Sequence, residues 1–146
     1  MFLGLYNHKI DNKNRVLLPA EYIDKLSKKI FITKNDGFLI LRTEEDFNDY
    51  VSHLTDLSTN DSEMKLILKG VYINSFAINI DASKRILLPK EYKNYITSEN
   101  NILFVGNGKN IEIWDYFKFK TLNEKINIAF QKHSETEKIN GNFKNN

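Results

Sequence analysis

The chain carries one motif twice. Asp11-Asn-Lys-Asn-Arg15-Val-Leu-Leu-Pro19-Ala-Glu21-Tyr22 returns as Asp81-Ala-Ser-Lys-Arg85-Ile-Leu-Leu-Pro89-Lys-Glu91-Tyr92, identical at seven of twelve positions. The same offset relates Phe2 to Tyr72, Tyr6 to Phe76 and Ile10 to Ile80. With a slightly shifted offset, Phe31–Leu41 parallels Ile102–Trp114. The rare residues agree: the two prolines, Pro19 and Pro89, coincide, and so do two of the three arginines, Arg15 and Arg85. A copy of roughly 45 residues buries too little apolar surface to be stable by itself. The two halves are therefore expected to share one core.

Composition excludes several classes. At 41% hydrophobic and 27% charged residues the chain is globular rather than disordered. A net charge of +2 is too small to argue for a polyanionic partner; the placement of the charges must do so. Without cysteine there is no disulfide, thiolate metal site or cysteine nucleophile, in keeping with a reducing compartment. No apolar run approaches the ~18 residues of a membrane span, and Met1–His8 lacks the pattern of a secretory leader. A soluble cytoplasmic protein without a membrane partner is expected.

Each copy reads as strand, loop, strand, short helix, hairpin, helix. Residues 2–10 and 72–80 alternate as half-buried strands. Val16–Leu18 resumes a strand, and Pro19 and Pro89 suit the first turn of short helices. Asn35-Asp36-Gly37 is a hairpin signal, with Gly106-Asn107-Gly108 as its counterpart. Thr43 to Asp46 resembles a helix cap before Phe47, Tyr50, Val51 and Leu54, and Asp115 is placed to cap a second helix bearing Phe119, Leu122, Ile126 and Phe130. The units span residues 5–50 and 71–120. Residues 51–70 form a linker, polar over 55–62, with a short helix at Met64–Leu68. Residues 121–146 supply a C-terminal helix and, from Ser134, a disordered polar tail.

No catalytic, metal or cofactor motif is present. His8, His53 and His133 fall on different elements without metal-ligand spacing. Glu44, Glu45, Asp46 and Asp49 sit at a helix start, where the helix dipole favours them. Phosphate-loop, serine-hydrolase and zinc-protease signatures are missing. Trp114, Phe117 and Phe119 suit core or subunit contacts better than base stacking. The doubled Asp-x-x-x-Arg loop remains, and it has two readings. An Asp and an Arg four residues apart can close a turn as an ion pair, or the Arg can face a polyanion.

Asp11-x-x-x-Arg15 with Pro19, its repetition at Asp81, Arg85 and Pro89, the opening Phe2-Leu-Gly4-x-Tyr6, the Phe38-Leu39 hairpin and Ile111-Glu112-Ile113-Trp114 resemble the MraZ family over residues 2–120. The resemblance implies an α+β, mainly β fold: two tandem SpoVT-AbrB-like swapped-hairpin units forming a double-split β-barrel with short peripheral helices. It implies a DNA-binding transcription regulator of the cytoplasm and nucleoid, binding repeated promoter sites of a division and cell-wall gene cluster. It further implies a ring-shaped homo-oligomer, an octamer in the family, with no enzymatic activity and no cofactor. An antitoxin-like protein-interaction module on the same fold is the alternative, its tail anchored by Ile139 and Phe143. The family carries Gly immediately before each Arg, where this chain has Asn14 and Lys84. Asn enters left-handed backbone more readily than most residues and Lys cannot do so cheaply, so the second loop is expected to differ in shape.

On this basis Arg15 and Arg85 are expected to read bases or a groove, because a planar guanidinium can make two parallel hydrogen bonds to guanine. Lys9, Lys13 and Lys84 would hold phosphates, Asn14 a base edge or backbone, and His8 and Ser83 complete the DNA-binding set. Asp11 and Asp81 would shape the turn and orient the arginines.

Overall fold

The computed structural model describes residues 1–145, with side chains as far as Lys138, and divides into two units, Met1–Asp115 and a C-terminal helix. The first unit runs β1 (Leu5–Lys9), β2 (Arg15–Leu17), α1 (Ala20–Ile23), β3 (Lys29–Lys34), β4 (Leu39–Thr43), α2 (Glu44–Ser58) and α3 (Ser62–Ile73). It continues with β5 (Ser75–Asn79), β6 (Arg85–Leu87), α4 (Lys90–Ile96), β7 (Asn101–Asn107) and β8 (Asn110–Asp115). The second unit is α5 (Tyr116–Asn145). The fold is α+β, and the order in each copy follows the duplication. It is not mainly β: α2, α3 and the 30-residue α5 give helix the larger share.

The two copies interleave. The six-stranded antiparallel sheet has the order β1-β7-β8-β4-β3-β5, so each copy's first strand lies against the other copy's hairpin. The second strands meet as a separate ribbon, β2 with β6, centred on Val16 opposite Ile86. No pairing among the described residues closes the large sheet into a barrel. Ile10, Val16, Leu18, Ile30, Ile32 and Leu41 share a core with Ile80, Ile86, Leu88, Ile102, Phe104 and Ile113. The core thus draws on both halves, as two undersized copies require. On the opposite face of β3 and β4 a smaller cluster holds α2 and α3: Phe47, Leu54 and Val71, with Phe31 stacked on Phe47 at 4.7 Å.

Several elements depart from expectation for local reasons. Thr55–Ser58 continue α2, whose inward face carries buried Leu54 and Ser58, and the Thr55 and Ser58 hydroxyls are satisfied by carbonyls one turn back. The connecting helix is a full α3, its N-terminus capped by the Asp61 carboxylate. It takes up Tyr72, which leaves β5 to begin only at Ser75. Gly106 lies inside β7 rather than in the turn, which falls at Gly108-Lys109. Ser134–Lys138, expected to be disordered, are helical. Ile139 and Phe143 lie outside the residues whose side chains are described.

Candidate nucleic-acid interface

The two Asp-to-Arg loops are built alike. In the first, Asp11 Oδ1 accepts from the Lys13 amide at 2.9 Å and the Arg15 amide at 2.8 Å. In the second, Asp81 Oδ1 accepts from Ser83 at 2.8 Å and Arg85 at 2.9 Å. The aspartate in each loop replaces backbone acceptors that a five-residue turn cannot supply. The Asp11 carboxyl is accordingly held below its ordinary value, chiefly by the Arg15 amide. Both aspartates thus accept two amides each within their own loop.

Asn14 and Lys84 both occupy left-handed backbone, at φ 62° and 65°. The expected difference in loop shape is not found. Lys84 is forced into line by tertiary bonds: Leu18 N donates to the Lys84 carbonyl at 3.0 Å, and Leu88 N to the Asn14 carbonyl at 2.9 Å. Each loop is thereby pinned to the chain that follows the other loop's strand.

The β2–β6 register decides what the loops present. Arg15 faces Leu87, Leu17 faces Arg85, and residues directly opposite share a face. Val16 and Ile86 point into the core. The outer face therefore carries Arg15, Leu17, Arg85 and Leu87 in a two-fold arrangement, with the arginines on a diagonal roughly 7–8 Å long. Neither arginine is buried. They differ in one respect. Arg15 Nε donates to Asp11 Oδ2 at 3.0 Å, with 41% of its side chain still exposed. Among the described residues no carboxylate pairs with Arg85. The ion-pair reading of the motif thus describes the first loop only, and a half-exposed pair of this kind holds an arginine weakly.

Lys13, Ser83 and Lys84 are exposed at the two ends of the ribbon, and Asn14 is half-buried beside Arg15. His8 and Lys9 alternate on β1 and so face opposite ways. His8 stands edge-on to Phe104 at 5.5 Å, lining a groove with Leu17 and Lys84, while Lys9 is exposed on the other side of the sheet. The eight expected contacts are therefore one coherent set of six on the ribbon, with His8 adjoining and Lys9 apart. Glu21 and Asp24 line the same groove and bring carboxylates to it.

Leu17 and Leu87 stand on the same outer face as the arginines, in an Arg-x-Leu spacing that the sequence shows in both copies. The third arginine, Arg42, is no part of this surface. It is buried, 3.3 Å from Asp46 and stacked over the Tyr50 ring at 4.0 Å. No group of three or more metal-ligating side chains occurs among the described residues, and no described helix is long and apolar enough to cross a membrane.

The family described as "MraZ protein, putative antitoxin-like" matches residues 1–69 and again 71–140. The chain is similar to the transcriptional regulator MraZ of Mycoplasmoides gallisepticum, 30% identical over 125 residues that cover 85% of this chain and 88% of that one. It is 32% identical to the protein of that name from Ureaplasma parvum serovar 3, over 78% of this chain and 81% of that one. Its similarity to that from Acetivibrio thermocellus is 25%, over 92% and 95%.

Proposed function

This chain belongs to the MraZ family, and from that premise we propose that it is a sequence-specific, double-stranded-DNA-binding transcription regulator with no catalytic role. It binds repeated promoter motifs of a division and cell-wall gene cluster as a ring-shaped homo-oligomer, in the cytoplasm and at the nucleoid. The exchange of first strands between the copies supports reading the fold as two tandem AbrB-like swapped-hairpin units that make up a double-split barrel. The observation that carries the function is the β2–β6 ribbon, which holds Arg15 and Arg85 on one outward face with Lys13 and Lys84 at its ends.

One ribbon is a small surface, and a single engagement is weak. Several ribbons on a ring, facing regularly spaced sites, make the later contacts intramolecular and raise the effective concentration. Titration of duplexes with one and with several sites tests this. Binding is tight only to the multi-site duplex and falls steeply with salt, because several phosphates are neutralised together. Arg15→Lys and Arg15→Ala each lose about 1–3 kcal/mol on specific sites, since an ammonium does not replace a fork reading guanine. Equal affinity for one and several sites removes the avidity mechanism. Unchanged binding of both variants with lowered stability reduces Arg15 to a turn-closing ion pair.

A further inference from the structure

We propose that Leu17 and Leu87 read sequence by packing on thymine C5-methyl groups in the major groove. The inference rests on the DNA-binding reading above, and its own warrant is the ribbon's register. Leu17 is 44% exposed and Leu87 59% exposed, at equivalent places in the two copies and on the same face as both arginines. Core packing does not account for them, because Val16 and Ile86 between them already supply the ribbon's inward side chains. Two leucines left facing water on a short ribbon gain nothing in the isolated chain.

Charge selects the occupant. The leucines lie between two guanidiniums, with ammonium groups at both ends of the ribbon. A second copy of the same face would set like charges against like. The major groove fits: it admits a two-stranded ribbon, offers phosphates at its rim and displays guanine acceptors and thymine methyls on its floor. Spacing agrees as well. Residues two apart on a strand are about 6.6 Å apart, close to two base steps of about 3.4 Å. An arginine on a guanine therefore places its leucine about two base pairs further on.

The test begins with the duplex that the wild-type protein selects from a randomised pool. Its affinity is then measured with each thymine replaced by deoxyuridine, which removes the methyl and leaves base pairing intact. Wild type loses about fourfold per contacted methyl, the worth of one buried carbon. The Leu17→Ala/Leu87→Ala double variant, checked for fold by circular dichroism and for assembly by native mass, is indifferent to the replacement. Indifference of the wild-type protein to deoxyuridine overturns the proposal, and that measurement needs no variant. So does a selected site with no A·T pair within a few steps of its guanines. A variant of altered mass that keeps full methyl sensitivity assigns the leucines to contacts between copies and overturns it too. Arg15→Lys on the same duplex separates the two readings. If that variant weakens binding while deoxyuridine does not, only the leucine assignment falls; if wild type binds no duplex, both fall.

Discussion

The amide of Leu88 donates to the carbonyl of Asn14 at 2.9 Å, joining the end of one copy's strand to the loop of the other. The reciprocal bond, from Leu18 to Lys84, makes the two Asp-to-Arg loops a single mechanical unit. Backbone groups are strong and obligatory hydrogen-bonding partners. A left-handed residue in each loop is what turns its carbonyl toward the other chain segment, so the conformation persists even where lysine occupies it.

Lys84→Gly is therefore expected to stabilise the protein. Left-handed backbone costs an L-residue about 1–2 kcal/mol, partly offset by the greater freedom of glycine in the unfolded chain. The net gain is about 0.5–1 kcal/mol, read as a rise in Tm of about 2–4 °C. Lys84→Val, β-branched at the same φ, lowers Tm. If Lys84 holds a phosphate, Lys84→Gly also flattens the salt dependence of DNA binding.

Asp11 makes the first loop acid-sensitive. Its carboxyl is held below the ordinary 3.8, first by the Arg15 amide; desolvation, the next largest influence, opposes it and is outweighed once the Lys13 amide and the Arg15 side chain are added. A depressed carboxyl stabilises the fold above its unfolded value and loses that contribution as pH falls through the folded one. Urea titrations between pH 5 and pH 2.5 should show a steeper loss below about pH 4 for wild type than for Asp11→Asn, which keeps an acceptor oxygen but carries no charge.

Tyr22 gives the opposite sign at the other end of the scale. Its buried hydroxyl donates to the Leu3 carbonyl at 3.0 Å, and burial, then Tyr6 and Glu21, push the phenol up to about 12. Because the neutral form is favoured in the fold, this stabilisation is complete below about pH 10 and disappears as pH rises through about 12. Tyr22→Phe lowers stability at pH 7 by about 0.5–1.5 kcal/mol. It also makes the alkaline loss shallower, as thermal denaturation at pH 7, 10 and 11 would record.

Gly106 and Gly70 separate close approach from mere presence. A Cβ at Gly106 would stand 2.5 Å from the Leu3 carbonyl carbon, where the N-terminal segment crosses β7 and the Gly106 amide donates to Gly4. Gly106→Ala forces that segment away, at about 1–3 kcal/mol. At Gly70, in α3, the added carbon meets nothing within 4 Å. Gly70→Ala raises stability by about 0.5–1 kcal/mol through helix propensity alone. Urea denaturation of the two variants should show shifts of opposite sign.

Local signals carried a good part of the architecture. Thr43 caps α2 through Asp46 as its spacing announces, and Phe47 and Leu54 are buried as helical periodicity requires. Gly37 takes positive φ in the β3–β4 turn. Each of these depends on residues within a few positions of one another. Signals of the same kind failed where a distant segment intervened. Gly106 looks like a turn glycine until Leu3 is seen lying across it, and Tyr72 follows strand parity until α3 takes it up.

By itself, the sequence determined the duplication, the shared core and the doubled Asp-to-Arg loops. Those follow from residue identity, alternation and short-range hydrogen bonding. Only the tertiary structure decided that each copy's first strand pairs with the other copy's hairpin, that Lys84 adopts the backbone of Asn14, and that, among the described residues, Arg15 is ion-paired while Arg85 is not. Two copies of one motif offer similar apolar faces and equivalent backbone donors, so alternation says which side of a strand is buried but not which neighbour it meets. That choice lies in hydrogen-bonded pairings of residues far apart in the chain, such as Leu5 with Val105 in β1–β7 and Lys29 with Asn79 in β3–β5.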